Sequence, residues 1–156
     1  MIKHLVIVIN NISSPQRLID IAKVVYNSEV SNLIKAFVLT RVGGGVIQSG
    51  IPEVSKLAYK LGKSLVILPT LNDAIEVFNP SKVFLVGKSP DSLLLEDLEL
   101  SDDTMLAFSG SDSGFAKNEL ALGRQVYFKG FNQLVSPVAE VALTLYIINL
   151  KIGGTS

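Results

Sequence analysis

Short runs of consecutive apolar residues alternate along the chain with segments in which apolar residues recur at helical spacing. Unbroken apolar runs are typical of strands buried on both faces of a sheet, and the helical spacing indicates amphipathic helices. The runs predict strands at about 5–9, 33–39, 65–68, 83–86, 105–108 and 126–128. We therefore expect an α/β fold with a parallel sheet of about six strands flanked by helices.

The segments between these runs predict helices, two of which have recognisable ends. Ser14 and Pro15 open the first helix, and Pro52 and Gly62 bound a second helix over 51–61. Further helices are expected over 72–78, 116–122 and 136–150, and an acidic, leucine-rich loop with a helical turn over 89–103. Because no linker or repeat interrupts the series, we expect one domain over residues 1–156 with a short flexible tail at 152–156.

Composition narrows the classes of function. Of the 156 residues, 48% are hydrophobic and 18% are charged, which excludes a disordered chain and leaves apolar surface for a second subunit. Lys plus Arg and Asp plus Glu both number 14, so a nucleic acid would have to contact a local basic patch.

Cysteine and histidine usage limits the chemistry further. The chain has no cysteine, and His4 is its single histidine, which argues against thiolate and zinc sites and leaves no metal to expect. The first apolar run is too short for a signal peptide or a membrane-spanning helix. We therefore expect a cytoplasmic protein without a membrane partner.

Three loops that follow predicted strands are candidates for a site, because ligands of parallel sheets bind at the carboxyl ends of the strands. They are TRVGGGVIQSG at 40–50, GSDSGF at 110–115 and KGFNQLVSP at 129–137. No GxGxxG or GxxxxGK[ST] motif occurs, which disfavours nicotinamide and nucleoside-triphosphate enzymes. A nuclease that combines an Asp with a later Glu-x-Lys is also disfavoured, since the nearest string is EVSK at 53–56.

The C-terminal third resembles a known family. The stretch VYFKGFNQLVSPVAEVALTLY at 126–146 is similar to the last motif of the SpoU branch of the SPOUT methyltransferases, whose usual pattern is IPMxGxxxSLNVSVAAAILLY. Gly130 falls on the family glycine and Ser136 on its Asn. FSGSDSGF at 108–115 resembles the family's FGSEGEGL, and residues 14–17 take the place of the motif that opens its first helix.

The resemblance implies a SPOUT-like domain with a C-terminal trefoil (α/β) knot and a homodimer formed largely by the last helix against the first. It also implies S-adenosyl-L-methionine as the cofactor, held by backbone groups of the loops. Glycines admit close backbone approach, and residues 134 and 135 would cover the adenine face. By position, the cofactor-binding candidates are Gly110, Ser111, Asp112, Gly114, Phe128, Gly130, Leu134 and Val135.

The activity that the resemblance implies is S-adenosylmethionine-dependent RNA methylation of tRNA or rRNA at a ribose 2′-hydroxyl. Lys23 is the ungapped match to the family's catalytic Arg, and Arg17 is the nearby arginine. Ser136, the third catalytic candidate, replaces the family Asn, and residue 111 or 112 replaces its Glu. The basic residues expected to contact RNA phosphate are Arg17, Lys23, Arg41 and Lys129.

Two other interpretations stay open. Loss of the family's Glu and Asn favours a non-catalytic SPOUT-like homologue that binds cofactor or RNA through a degenerate site. The loops could also belong to an unrelated α/β enzyme that acts on a small molecule. In the last helix, Glu140 lies among apolar residues, where an unpaired charge is costly. It therefore pairs across a dimer interface or lies on a polar edge of the helix.

Overall fold

The computed structural model describes residues 2–100 and 102–153, in which seven parallel strands form one sheet. The strands are β1 (Ile2–Asn10), β2 (Ile34–Thr40), β3 (Val66–Leu68), β4 (Lys82–Val86), β5 (Leu93–Leu94), β6 (Asp102–Ser109) and β7 (Arg124–Tyr127). Their order across the sheet is β3-β2-β1-β6-β4-β7-β5. The predicted fold class is confirmed, with β5 as an additional strand inside the segment predicted as a loop. The trefoil knot stays a prediction.

The helices of the described residues are α1 (Pro15–Asn27), α2 (Ile51–Leu61), α3 (Leu71–Phe78), α4 (Lys117–Leu120) and α5 (Pro137–Gly153). The Ser14 hydroxyl caps α1 by accepting a hydrogen bond from the Arg17 amide, and α2 ends at Gly62 with a φ of 67°. Helix α5 continues through residues 152 and 153, which the sequence assigned to a flexible tail. The rest of that tail, 154–156, and residue 101 of the predicted acidic loop lie outside the described residues.

The hydrophobic core lies on both faces of the central strands β1 and β6. On one face, alternate residues such as Ile7 and Phe108 pack against α1 and α5. On the other face, Val8 and Ala107 pack in a second cluster that includes residues of α3. This two-sided burial explains why the strands are unbroken apolar runs rather than alternating ones. No helix in the described part of the chain is long and apolar enough to cross a membrane.

The topology brings particular loops together at one edge of the sheet. Strand β4 lies between β6 and β7, and all three run in the same direction. The segments that follow them therefore emerge side by side at the carboxyl edge, where the chain also enters α5. This edge is where parallel sheets bind ligands.

Candidate ligand-binding cleft

A cleft of about 540 Å³ opens at the carboxyl edge of the sheet. Three segments form most of its walls. One follows β4, another follows β6, and the third leads into α5. The lining residues are 86–88, 109, 111–115 and 134–137, together with Leu120, Gln125 and Glu140. The second and third of these segments coincide with two of the three loops that the sequence singled out.

The cleft collects most of the predicted site residues. Those that line it are Ser111, Asp112, Gly114, Leu134, Val135 and Ser136. Ser136 lies at the start of α5, where its hydroxyl accepts a hydrogen bond from the Ala139 amide at 3.3 Å. Gly114 has a φ of 78°, which is a conformation that favours glycine. The grouping of these residues follows from the sheet order.

Several predicted residues lie elsewhere. Phe128 is buried and does not line the cleft, and its ring is stacked on Tyr127 at a centroid distance of 4.1 Å. Gly130 forms a turn with a φ of 94° and does not line the cleft. Lys23 is exposed on α1 and lines grooves beside α5 and α2 instead of the cleft. Lys129 is exposed, and its backbone amide donates to the Glu96 carboxylate at 2.8 Å.

Arg17 and Gly110 join α1 to the loop after β6. The Arg17 guanidinium donates to the Gly110 carbonyl at 3.0 Å and to the Asp112 carboxylate at 3.4 Å. Gly110 itself does not line the cleft, but its amide donates to the Asn10 carbonyl at 2.7 Å. Arg17 therefore holds the loop that forms one wall of the cleft.

Gly110→Ala is expected to destabilise the protein by about 2 kcal/mol, because overpacking a filled site forces backbone shifts. A Cβ at residue 110 would lie 2.9 Å from the Ile12 Cβ and 3.0 Å from the Asn11 carbonyl oxygen. Gly44→Ala is the matched control, since a Cβ there meets nothing within 4 Å. Chemical denaturation measures the free energy of unfolding of both variants. Equal stabilities would contradict the close packing of Gly110 against Ile12 and Asn11.

Glu140 lies in the first turn of α5, and only 5% of its surface is exposed. The Tyr127 hydroxyl, which accepts a hydrogen bond from the Val135 amide at 3.1 Å, is a neighbour that favours the ionised form of the Glu140 carboxyl. Burial raises the pKa of Glu140 to about 7, the Tyr127 hydroxyl opposes that rise, and the Asp112 charge adds to it. Burial also raises the pKa of Tyr127 to about 12. The expectation that Glu140 lies on a polar edge of the helix is wrong, because its side chain is buried. A partner across a dimer interface stays a prediction.

A polar network that the sequence reasoning missed lies beside the cleft, at the ends of β1 and β2. The Glu119 carboxylate accepts hydrogen bonds from the side-chain Nδ2 of Asn10 at 2.8 Å, the Arg41 guanidinium at 3.0 Å and the backbone amide of Ala116 at 2.8 Å. The Thr40 hydroxyl donates to the side-chain oxygen Oδ1 of Asn10 at 2.8 Å. Burial raises the pKa of Glu119, but these hydrogen bonds and the Arg41 charge outweigh burial and hold the pKa below its ordinary value.

Arg41 thus has a structural partner in addition to any phosphate it contacts. Its side chain remains 42% exposed while it pairs with Glu119. The sequence does indicate part of this network, because Asn10 and Thr40 end the first two apolar runs. Polar side chains that end neighbouring buried strands lie together at the carboxyl edge of the sheet.

The cleft combines apolar and charged groups. Val86, Leu134 and Val135 provide apolar surface, whereas Asp112 and Glu140 provide carboxyl groups. Such a site can enclose a flat ring and attract a positively charged group on the same ligand. Among the described residues, no group of three or more His, Cys, Asp or Glu side chains could hold a metal ion.

Solved structures share this fold. The SpoU methyltransferase AviRb from Streptomyces viridochromogenes, in complex with AdoMet, superposes with a TM-score of 0.75 at 12% identity. The match covers 97% of this chain and 62% of that structure, so the chain spans less than two thirds of its length. An rRNA methyltransferase from Sinorhizobium meliloti is likewise covered over 57% of its length. The resemblance to the SPOUT superfamily is confirmed for the fold.

Sequence relatives carry a different description. A protein of Aeropyrum pernix named "Putative type II restriction enzyme ApeKORF2002P" is 40% identical over 152 residues, which cover 94% of this chain and 93% of the relative. Its counterpart MjaORF1200P from Methanocaldococcus jannaschii, with the same description, is 31% identical over 96% of this chain and 99% of the relative.

The prediction of an RNA methyltransferase is wrong by these relationships, since the relatives and the matching family are described as nucleases. The sequence-based argument against a nuclease conflicts with the same descriptions, although the chain contains no Glu-x-Lys. The family model matches residues 44–147, which include β6, β7 and all the residues that line the cleft. The chain therefore belongs to the family described as RecB-family nuclease (DUF2122).

Proposed function

We propose that the protein binds S-adenosyl-L-methionine, or a closely similar nucleoside, in the cleft at the carboxyl edge of its sheet. The observation that carries this proposal is the cleft of about 540 Å³ between the loop after β6 and the entry into α5. That volume falls within the range of small-molecule sites, roughly 300–1,000 Å³. The AdoMet complex of a solved structure with this fold supports the choice of ligand.

The chemistry of the cleft suits the separate parts of this ligand. Leu134, which is 54% exposed, and Val135 offer apolar cover for an adenine ring. The hydroxyls of Ser111 and Ser113, 2.8 Å apart, are available to a ribose. Asp112 and Glu140, which line the cleft, would face the positive charges of a sulfonium and an amino group. The chain's own residues would thus bind and orient the ligand.

The macromolecular partner in this proposal is nucleic acid, and the chain acts as a cytoplasmic homodimer. The names of the relatives, which describe restriction enzymes, support a nucleic-acid partner, as do solved structures described as rRNA and tRNA modifying enzymes. RNA remains the predicted form. A groove between α1 and α5 that includes Tyr146, 61% exposed, supports a subunit contact there. Sedimentation of the purified protein tests the dimer.

Nuclease activity is the second candidate, and the family model favours it. Metal-dependent nucleases need carboxylates that converge on the ion. In residues 2–100 and 102–153 no group of three or more potential ligands meets that need, so these residues do not fit such a metal centre. Degradation of DNA or RNA by the purified protein with Mg²⁺ or Mn²⁺, absent from a mock preparation, would favour this candidate over ligand binding alone.

Titration calorimetry with S-adenosylmethionine and S-adenosylhomocysteine tests the main proposal. We expect one site per chain, and Leu134→Ala is expected to weaken binding three- to tenfold, on the order of 1 kcal/mol of lost apolar cover. Leu150→Ala is the matched control, because Leu134 and Leu150 are both 54% exposed and only the former lines the cleft. A folded wild-type protein that binds neither ligand would overturn the proposal.

A further inference from the structure

Glu140, which lines the cleft, and Tyr127, which is buried, depart together from the SpoU pattern. Aligned without a gap, the pattern IPMxGxxxSLNVSVAAAILLY gives a Pro and an Ala to the positions that hold Tyr127 and Glu140. In the structure the Tyr127 hydroxyl acts on the Glu140 carboxyl and lowers its pKa, against the effect of burial. A buried polar pair in place of two apolar residues costs desolvation, which calls for a role in the site.

No cation of the described residues forms an ion pair with Glu140. The ion pairs within the described residues join Arg17 to Asp112 and Arg41 to Glu119, and neither includes Glu140. Lys88 lines the same cleft, but its ammonium donates to the Phe131 carbonyl at 2.6 Å. The groups that face Glu140 are therefore Tyr127 from β7, Asp112 from the loop after β6 and Lys88 from the loop after β4.

We propose that Glu140 is the carboxylate that recognises the positive charge of a sulfonium ligand, so that the cleft distinguishes a sulfonium from the corresponding neutral thioether. This inference rests on the proposed binding of S-adenosylmethionine. Asp112 is a weaker candidate for the same role, because its side chain is 76% exposed and already paired with Arg17. Charges attract more strongly in a buried site than in water.

Proton release should accompany this recognition. Burial holds the pKa of free Glu140 at about 7, so the carboxyl is partly protonated near neutral pH. A bound sulfonium favours the ionised form, and binding expels the proton. Affinity for the sulfonium therefore rises with pH until Glu140 is fully ionised. A neutral thioether gains little from the same ionisation.

The test compares the dissociation constants of S-adenosylmethionine and S-adenosylhomocysteine at pH 6 and pH 8 by calorimetry. The preference is the ratio of the two dissociation constants. In the wild type it is expected to increase about tenfold from pH 6 to pH 8, because the ionised fraction of a group with a pKa near 7 increases by that factor. Glu140→Gln keeps the size of the side chain and is expected to abolish the increase. Glu53→Gln, an exposed glutamate of α2, is expected to keep the wild-type profile.

Tyr127→Phe provides a second variant that leaves the carboxyl in place. Without the hydroxyl, the ionised form of Glu140 loses a group that favours it, and its pKa rises. The increase in preference for the sulfonium should therefore occur at higher pH. A preference that is independent of pH, or that persists in Glu140→Gln, would overturn the role of Glu140 and leave the ligand site standing. Failure of the wild type to bind either compound at both pH values would overturn the proposed function itself.

Discussion

Replacing Glu119 with alanine is expected to lower the free energy of unfolding by about 3 kcal/mol, because buried donors would lose their acceptor. The carboxylate accepts from the Asn10 side chain and the Ala116 backbone, each at 2.8 Å, and is 7% exposed. It also balances the charge of Arg41 at 3.0 Å. For a protein of this size, the loss corresponds to a melting temperature lower by roughly 6–12 °C.

Denaturation by urea at pH 7 measures this loss, with two companion variants. Glu99→Ala, at an exposed glutamate, is expected to stay within about 0.5 kcal/mol of the wild type. Glu119→Gln keeps an acceptor oxygen but removes the charge, so it should lose less than the alanine variant. If Glu119→Ala unfolded at the same urea concentration as Glu99→Ala, the polar network around Glu119 would make no net contribution to the free energy of unfolding.

The pH dependence of Glu119 has a definite sign. The pKa of Glu119 in the folded state lies below the ordinary value of 4.5, so the stability that its carboxylate contributes is fully present above pH 4.5. It is lost as the pH falls through the folded-state value, because the unfolded chain binds the proton first. The difference between wild type and Glu119→Ala should therefore narrow in acid.

The sequence predicts the sheet well because both faces of its central strands are covered, which turns each strand into an unbroken apolar run. Helix α2 was predicted at 51–61 and observed there, since Pro52 and Gly62 mark its ends by backbone conformation alone. Strand β5 has only two residues, too few to show any periodicity. The last turn of α5 depends on tertiary contacts, because the Lys151 ammonium donates to the carbonyls of Glu96 at 2.6 Å and Leu98 at 2.8 Å.

The site was predicted in outline through its loops, but not in its side-chain partners. Glu119 lies 109 residues from Asn10 and 78 from Arg41, and no local pattern encodes such pairs. Lys23 matches the SpoU arginine by position, yet Arg17, six residues earlier and so about 9 Å along the helix, is the residue that contacts the loop lining the cleft. The motifs correctly indicated the fold, whereas the activity inferred from them was overturned, as fold alone does not determine function.

Glu140→Gln is expected to change how stability depends on pH, by about 2–3 kcal/mol between pH 5 and pH 8. Burial raises the folded-state pKa of Glu140 from 4.5 to about 7, so the folded protein prefers the neutral acid. From pH 4.5 to 7 the folded state binds more protons than the unfolded state, and wild-type stability falls as the pH rises. The amide of the variant does not ionise, so this fall should be absent.

Urea denaturation at pH 5 and pH 8 gives the change in the free energy of unfolding for wild type and for Glu140→Gln. Subtracting one change from the other cancels the titration of all other groups. Glu53→Gln, exposed on α2, should follow the wild type at both pH values. If wild type and Glu140→Gln instead changed in parallel, the folded-state pKa of Glu140 would have to be ordinary. The carboxylate would then already be stabilised without ligand, and a sulfonium could gain no further preference from its ionisation.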